Sequence, residues 1–185
     1  MKNLLTADAS CTIYNNITQQ RESAMSKQRT FLTQVIIPVL PELFPTEEAT
    51  QYALTNPHVY NVEHLVELCL AKQGGYRFVD ADGYDFTDYS DSKTTTVNDK
   101  TLVMTVGSIE NKIGSLRISA YNPIRERIDF FYMSHQQLRS AALPCYGKHS
   151  YKERLLARYN AARDDYNQFE QYRVADFDTL AKKSA

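Results

Sequence analysis

Three aspartates and a lysine stand close together in the segment DFTDYSDSKTTTV, residues 85–97. Asp85, Asp88 and Asp91 follow one another at intervals of three, and Lys93 comes two residues after Asp91. The threonines and valine that follow are β-branched residues, which favour strands. Because residues two apart on a strand project from the same face, Asp91 and Lys93 are expected side by side.

A carboxylate next to an ammonium group has two interpretations. A plain surface ion pair would contribute little to stability. Alternatively, Asp91 binds a metal ion, and Lys93 steadies an attacking water and the negative charge that develops on a phosphate. Asp85 would then supply a second hard oxygen ligand, with Asp82 and Asp88 as alternatives. Magnesium prefers one or two carboxylates completed by waters and substrate phosphate oxygens, so the expected cofactor is Mg²⁺, with Mn²⁺ as a substitute.

Helical spacing of apolar residues precedes this segment. It predicts a helix from about residue 16 to residue 40 and a short helix that begins after Thr46. Asn61 is expected to cap a third helix, NVEHLVELCLAKQGG, that ends at Gly74 or Gly75. The buried stripe of this third helix is expected to comprise Val62, Leu65, Val66 and Cys69.

The apolar period then changes from 3.6 to 2, which indicates strands. The predicted strands are YRFV, SDSKTTTV, TLVMTVGS, IGSLRISAY and RIDFFYM, with a tight turn at DADGY. In IGSLRISAY, alternation predicts an inward apolar face and an outward face that carries Arg117, Ser119 and Tyr121.

Helices are expected again in the last third of the chain. Ser150 and Glu153 have the spacing of a capping box and predict a long helix to about residue 167, and a shorter element follows Asp176. The fold class is therefore α/β or α+β, with a mixed central sheet flanked by helices. One domain, 1–185, would comprise a helical N-terminal part (1–60), a core (61–133) and C-terminal helices (134–185).

An acidic residue, a short hairpin and Asp-x-Lys on a strand resemble the PD-(D/E)XK nuclease superfamily, especially the type II restriction endonucleases. The resemblance covers about residues 61–133, with Asp85 as the first acid and Asp91-Ser92-Lys93 as the second half of the motif. It implies a restriction-endonuclease-like core and a magnesium-dependent endodeoxyribonuclease in which Asp85 and Asp91 hold the metal and Lys93 positions the water. Many members add a helical glutamate, and Glu67, or else Glu63, would take that part. The chain lacks the proline of the namesake motif before Asp85.

Basic residues later in the chain are interleaved with tyrosines, a combination that suits contacts to phosphates and bases. Given a nuclease site, these basic side chains are predicted to contact DNA; otherwise they would form ordinary surface ion pairs. They are Arg117, Arg125, Arg127, Lys148, Lys152 and Arg154. The protein would act as a monomer or a homodimer.

The composition excludes several classes of function. The formal net charge of −1 gives no general attraction for nucleic acid, which weakens a nucleic-acid function but does not remove it, because a nearly neutral chain can still carry a local basic face. Three cysteines without a Cys-x-x-Cys pair argue against a zinc ribbon and indicate a reducing, cytoplasmic setting. The most apolar stretch, FLTQVIIPVLPELFP, is short and broken by prolines, so no membrane span is expected.

Three other interpretations of the acidic segment remain open. DADGYDFTDYSD is similar to a calcium loop, although it lacks the glycine and the terminal glutamate that an EF-hand requires. It could also be a solvated acidic hairpin with no function. The alternative function from another class is a small non-catalytic protein-interaction domain that modulates a phage or host partner.

Overall fold

A mixed β-sheet of seven strands organises the chain, and a two-stranded hairpin stands beside it. The computed structural model describes residues 21–81, 83–99, 102–107, 114–141, 143–145 and 154–183. The predicted fold class, α/β with a mixed sheet and flanking helices, is confirmed. The strands are β1 (Phe78–Ala81), β2 (Tyr84–Phe86), β3 (Asp91–Asn98), β4 (Val103–Gly107), β5 (Ser115–Asn122), β6 (Arg127–Ser134), β7 (Leu143–Cys145), β8 (Arg154–Arg158) and β9 (Arg173–Val174).

The helices begin and end where the chain supplies caps. Thr46 accepts a hydrogen bond from the Ala49 N–H at 3.1 Å, and Asn61 accepts one from the His64 N–H at 3.3 Å. Gly75, at φ 74°, ends the third helix in the left-handed conformation. The helices are α1 (21–39, with a π-helical turn at Leu32–Ile36), α2 (Glu47–Thr55), α3 (Val62–Gly74), α4 (His135–Ala141) and α5 (Phe177–Lys182), and short 3₁₀ turns cover Pro41–Leu43, Pro57–Val59 and Asn167–Tyr172.

The strand order of the large sheet is β7-β8-β4-β3-β5-β6-β9. β3 and β5 are parallel, and the other neighbouring pairs are antiparallel. β3 is therefore the central strand, and its first residue, Asp91, lies opposite Leu116. The hairpin β1–β2 precedes β3, and the Asp85 N–H donates to the Ser90 carbonyl at 2.9 Å.

Two hydrophobic clusters cover the two faces of this sheet. The first contains residues of α1, α3 and α5, with Phe86 from β2 and Tyr121 from β5. The second contains Ile118, Phe131, Tyr166 and further residues of β4, β6 and the C-terminal third. Every residue of β5 is consequently buried. The prediction that one face of this strand is exposed is wrong, because α3 and α5 cover it.

The long helix predicted from residue 150 to 167 is also wrong. Ser150 and Glu153 lie outside the described residues, but Arg154–Arg158 form strand β8 between β4 and β7. Backbone pairing on both sides therefore overrides the local helical signal. The predicted helical C-terminal part contains helices α4 and α5 but also three strands, β7, β8 and β9.

Among the described residues, no helix combines the length and the apolar character needed to cross a membrane.

Candidate active site

Four side chains predicted from the sequence come together where α3, the β1–β2 hairpin and the start of β3 meet. Asp85 lies on β2, Asp91 and Lys93 on β3, and Glu67 on α3. The Lys93 Nζ lies 3.3 Å from Asp91 Oδ1 and 3.2 Å from Asp91 Oδ2. Asp91 is buried, whereas the Lys93 side chain is 30% exposed. The ammonium group thus contacts a buried carboxylate while part of the lysine side chain stays accessible to solvent.

Asp85 is held against Asp91 by the backbone that follows it. The Ser92 N–H donates to Asp85 Oδ2 at 2.7 Å. Burial, a hydrogen bond with Asp91 and the negative charge of Asp91 together raise the pKa of Asp85 to about 6. Two carboxyl groups in such close contact resist ionising together, and a cation between them would relieve their repulsion.

Glu67 belongs to the same electrostatic cluster. Burial raises the pKa of Glu67, and the nearby charge of Asp85 raises it further, while His64 and Lys93 oppose the change. His64 Nδ1 lies 3.3 Å from Glu67 Oε2. Glu63, the alternative, is 65% exposed and lies 3.6 Å from Lys27, a residue of α1. Of the two glutamates, Glu67 is therefore the one near the cluster.

Asp88, an alternative to Asp85 as the first ligand, is engaged elsewhere. Its Oδ2 accepts a hydrogen bond from Arg117 at 2.8 Å, and its Oδ1 accepts one from the Ser90 hydroxyl at 2.5 Å. Burial would raise the pKa of Asp88, but the bonds from Ser90 and Arg117 outweigh it and lower that pKa. The carboxylate is therefore committed to a structural ion pair. Asp82 lies outside the described residues.

The carboxylates of the cluster can be compared with the ligands that Mg²⁺ prefers. Within the described ranges, no group of three or more His, Cys, Asp or Glu side chains could hold a metal ion by itself. Asp85 and Asp91 nevertheless provide hard oxygens at one point, and their crowding favours a divalent cation there. Two carboxylates plus waters and phosphate oxygens are sufficient for Mg²⁺. These residues therefore fit the ion that the sequence predicts.

The basic residues predicted to contact DNA differ in burial and in how much of them the structure describes. Arg117 is fully buried, so its predicted DNA contact is wrong. Arg127 donates to both oxygens of Asp164 at 2.9 Å and 2.6 Å, and Arg125 donates to the Tyr159 hydroxyl at 3.1 Å. The contacts of Arg125 and Arg127 with DNA stay predictions. Of the remaining three, Lys148 and Lys152 lie outside the described residues, and the structure describes only the backbone of Arg154, in β8.

The contacts of Arg117 with the residues between Asp85 and Asp91 were not predicted from the sequence. Arg117 reaches Ser90 and Asp88, which lie 27 and 29 positions earlier in the chain. Its alternation with Leu116 and Ile118 is typical of an outward-facing residue. Only the tertiary structure shows that Arg117 is buried and contacts the turn between Asp85 and Asp91.

Compared with models of known families, with curated proteins and with solved structures, the chain shows no match.

Proposed function

We propose that this protein is a magnesium-dependent phosphodiesterase that acts on DNA as an endonuclease. The observation that carries the proposal is the convergence of Glu67, Asp85, Asp91 and Lys93 from one helix and two strands. Most structural ion pairs need only one carboxylate for one ammonium, whereas this cluster crowds three carboxyl groups around one lysine. DNA as the substrate follows from the resemblance to the PD-(D/E)XK superfamily.

In this proposal Asp85 and Asp91 would hold the Mg²⁺. The bound ion would supply Lewis-acid polarisation of the scissile phosphate and a lowered pKa for a coordinated water. Asp85 is kept in place by the Ser92 N–H, and Asp91 by the Lys93 ammonium. Contacts within the protein thus orient both carboxylates.

Lys93 and Glu67 would act on the water and the phosphate. Lys93 is partly exposed, so its ammonium can donate to an attacking water or to the phosphate oxygens as negative charge develops there. Glu67 is half-buried beside other acids, and its raised pKa makes its carboxylate a better proton acceptor. In-line attack of the water on phosphorus would break the bond to the leaving oxygen of the sugar.

The test is cleavage of several supercoiled plasmids with Mg²⁺ or with EDTA. Lys93→Ala should lower the rate by about a hundredfold or more, because a group that acts on the reacting atoms is removed. The fold and the affinity for DNA should change little. Lys72→Ala is a matched control, since Lys72 is also a lysine paired with a carboxylate. Its partner is Glu42, and it lies in the last turn of α3.

Magnesium-dependent nicking or linearisation that Lys93→Ala loses and Lys72→Ala keeps would support the proposal. Full activity of Lys93→Ala would contradict it. Absence of cleavage on every plasmid, together with no thermal shift on adding Mg²⁺, would favour the non-catalytic interaction domain.

A further inference from the structure

Arg117 on β5 is a fully buried cation with an unusually large set of partners. Its guanidinium donates to the Ser90 hydroxyl and to Asp88 Oδ2, the latter at 2.8 Å. It also donates to the backbone carbonyls of Leu180 at 3.3 Å and Lys183 at 2.6 Å. A buried charge needs such compensation, and its planar fork of donors can reach several acceptors at once.

These partners belong to two distant segments. Asp88 and Ser90 form the 87–90 turn, which connects β2 to β3, and Leu180 and Lys183 lie at the C-terminal end of α5. Carbonyl groups at the end of a helix carry partial negative charge and favour a cation. The side chain of Arg117, a residue of β5, therefore connects the turn to α5 by hydrogen bonds.

The aromatic residues around Arg117 restrict its guanidinium further. The guanidinium carbon lies 4.7 Å from the ring centroid of Tyr76 and 5.6 Å from that of Tyr132. Cation–π contacts with desolvated rings add to the attraction and limit the rotamers of the arginine. The position of Arg117 is consequently fixed by β5, by α5 and by two rings.

The 87–90 turn influences the relative position of Asp85 and Asp91, because it connects β2 directly to β3. Its residue Tyr89 has a φ of 63°, a conformation that non-glycine residues seldom adopt. The neighbouring backbone of Gly114 packs so closely that a Cβ there would lie 2.2 Å from the Tyr89 carbonyl oxygen. A turn held in this way needs external contacts, and Arg117 provides the charged ones.

We propose that Arg117 is a positioning residue that fixes the separation of the Asp85 and Asp91 carboxylates by fastening the 87–90 turn to α5. The inference rests on the proposed function for its catalytic consequence only. The hydrogen bonds that Arg117 donates go to the 87–90 turn and to the end of α5 rather than to the carboxylates of the cluster. Without Arg117, the hydrogen bond from the Ser92 N–H to Asp85 would open more often, and this N–H would exchange faster with solvent. The distance between the two carboxylates would then vary.

The test compares Arg117→Lys with Arg173→Lys. Lysine keeps the charge but loses the fork of donors. Arg173 is a matched control, because it is also a largely buried arginine with several partners, pairing with Asp129 at 2.5 Å and Glu170 at 3.1 Å, away from the turn. Hydrogen exchange of the metal-free proteins is measured in peptides that cover residues 85–92. We expect exchange there to be about tenfold faster in Arg117→Lys and unchanged in Arg173→Lys.

Cleavage kinetics provide a second readout. The Mg²⁺ concentration for half-maximal rate should rise about tenfold or more in Arg117→Lys, as expected when a residue that orients ligands is lost. The KM for DNA should stay the same while kcat falls. Asp88→Asn, which removes the partner charge but keeps the side-chain shape, should change exchange in the same direction and serves if Arg117→Lys does not fold.

The outcomes separate the two proposals. If the wild-type protein neither responds to Mg²⁺ nor cleaves DNA, the proposed function fails, while the exchange comparison still decides whether Arg117 positions the turn. If residues 85–92 exchange at the same rate in Arg117→Lys and Asp88→Asn as in Arg173→Lys, the positioning role is overturned, even if the wild-type protein is active.

Discussion

Asp85 and Asp88 are three residues apart, yet their surroundings act on them in opposite directions. Asp85 faces another carboxyl group, which adds to the effect of burial and raises its pKa to about 6. Asp88 faces Ser90 and Arg117, which outweigh burial and lower its pKa. An acid kept with a like charge destabilises the fold when it ionises, whereas an acid paired with a cation stabilises it.

Asp85→Asn should therefore stabilise the metal-free protein at neutral pH. Between about pH 4 and pH 6 the native state holds the Asp85 proton more tightly than the unfolded chain does, so the free energy of unfolding falls as pH rises through this window. Asparagine still accepts from the Ser92 N–H. Allowing for partial solvent screening, the gain at pH 7 should be about 1 kcal/mol, or about 2–4 °C in Tm. Thermal unfolding in EDTA across this pH range measures it.

Asp88→Asn is the matched control for that experiment, and the opposite sign is expected. A lowered pKa means that ionised Asp88 contributes stability above the ordinary aspartate pKa, and this contribution is lost as pH falls through the native value. The substitution should cost on the order of 1–2 kcal/mol at pH 7, because Arg117 loses its charged partner. A lower Tm for Asp85→Asn than for Asp88→Asn would contradict this account of the cluster.

Elements with a local signal were predictable from the sequence, and so was part of the site. Thr46, Asn61 and Asp176 each cap the helix expected after them. The period-2 segments correspond to β1 and β3–β6. Strand alternation alone placed Lys93 beside Asp91, and the structure shows that pair at 3.2 Å. The ion pair of Asp88 with Arg117, which separates its surroundings from those of Asp85, was not predictable, because Arg117 is distant in sequence.

The segment that includes β8 shows why the rest was missed. Strand β8, Arg154–Arg158, consists entirely of leucine, alanine and arginine, which all have a high intrinsic helix propensity. The strand forms because β4 and β7 offer backbone partners on both sides. Such pairing has no local signature, and the same is true of the burial of Arg117 under α5. Residue types and their spacing predicted local pairs, such as Asp91 and Lys93, better than they predicted long-range contacts.

The contact between Gly114, which immediately precedes β5, and the 87–90 turn gives a prediction at the level of elements. Gly114 and Gly75 both have positive φ, 81° and 74°, but a Cβ at Gly114 would meet the Tyr89 carbonyl, whereas one at Gly75 would meet nothing within 4 Å. Gly75→Ala should cost about 1 kcal/mol for the left-handed backbone alone. Gly114→Ala should cost about 1–3 kcal/mol more, because the backbone of the turn must move. Urea unfolding measures both, and equal losses would contradict the tight packing.

At the scale of the whole molecule, Cys69 reports on the integrity of the first hydrophobic cluster. It lies on α3, is fully buried among residues of that cluster, and burial raises the pKa of its thiol to about 12. Between the ordinary thiol pKa and about pH 12, the unfolded chain loses this proton before the native one does, so stability should fall as pH rises through that window.

A variant that keeps only Cys69, with Cys11→Ser and Cys145→Ser, should consequently resist thiol reagents at pH 8. The thiolate is the reactive form, and both burial and the raised pKa suppress it. Labelling should follow global unfolding as urea increases, with fully unfolded protein as the control for complete reaction. Labelling of the native protein at the rate of a free thiol would contradict a closed core around Cys69.

The bonds from Arg117 to Leu180 and Lys183 have a consequence for synthesis on the ribosome. A nascent chain that has emerged only through β6 already contains Glu67, Asp85, Asp91 and Lys93, but not the carbonyl groups that complete the shell of Arg117. Domains generally fold as units during synthesis. The link between the 87–90 turn and α5 therefore forms only after translation has passed Lys183, later than the synthesis of every residue of the charged cluster.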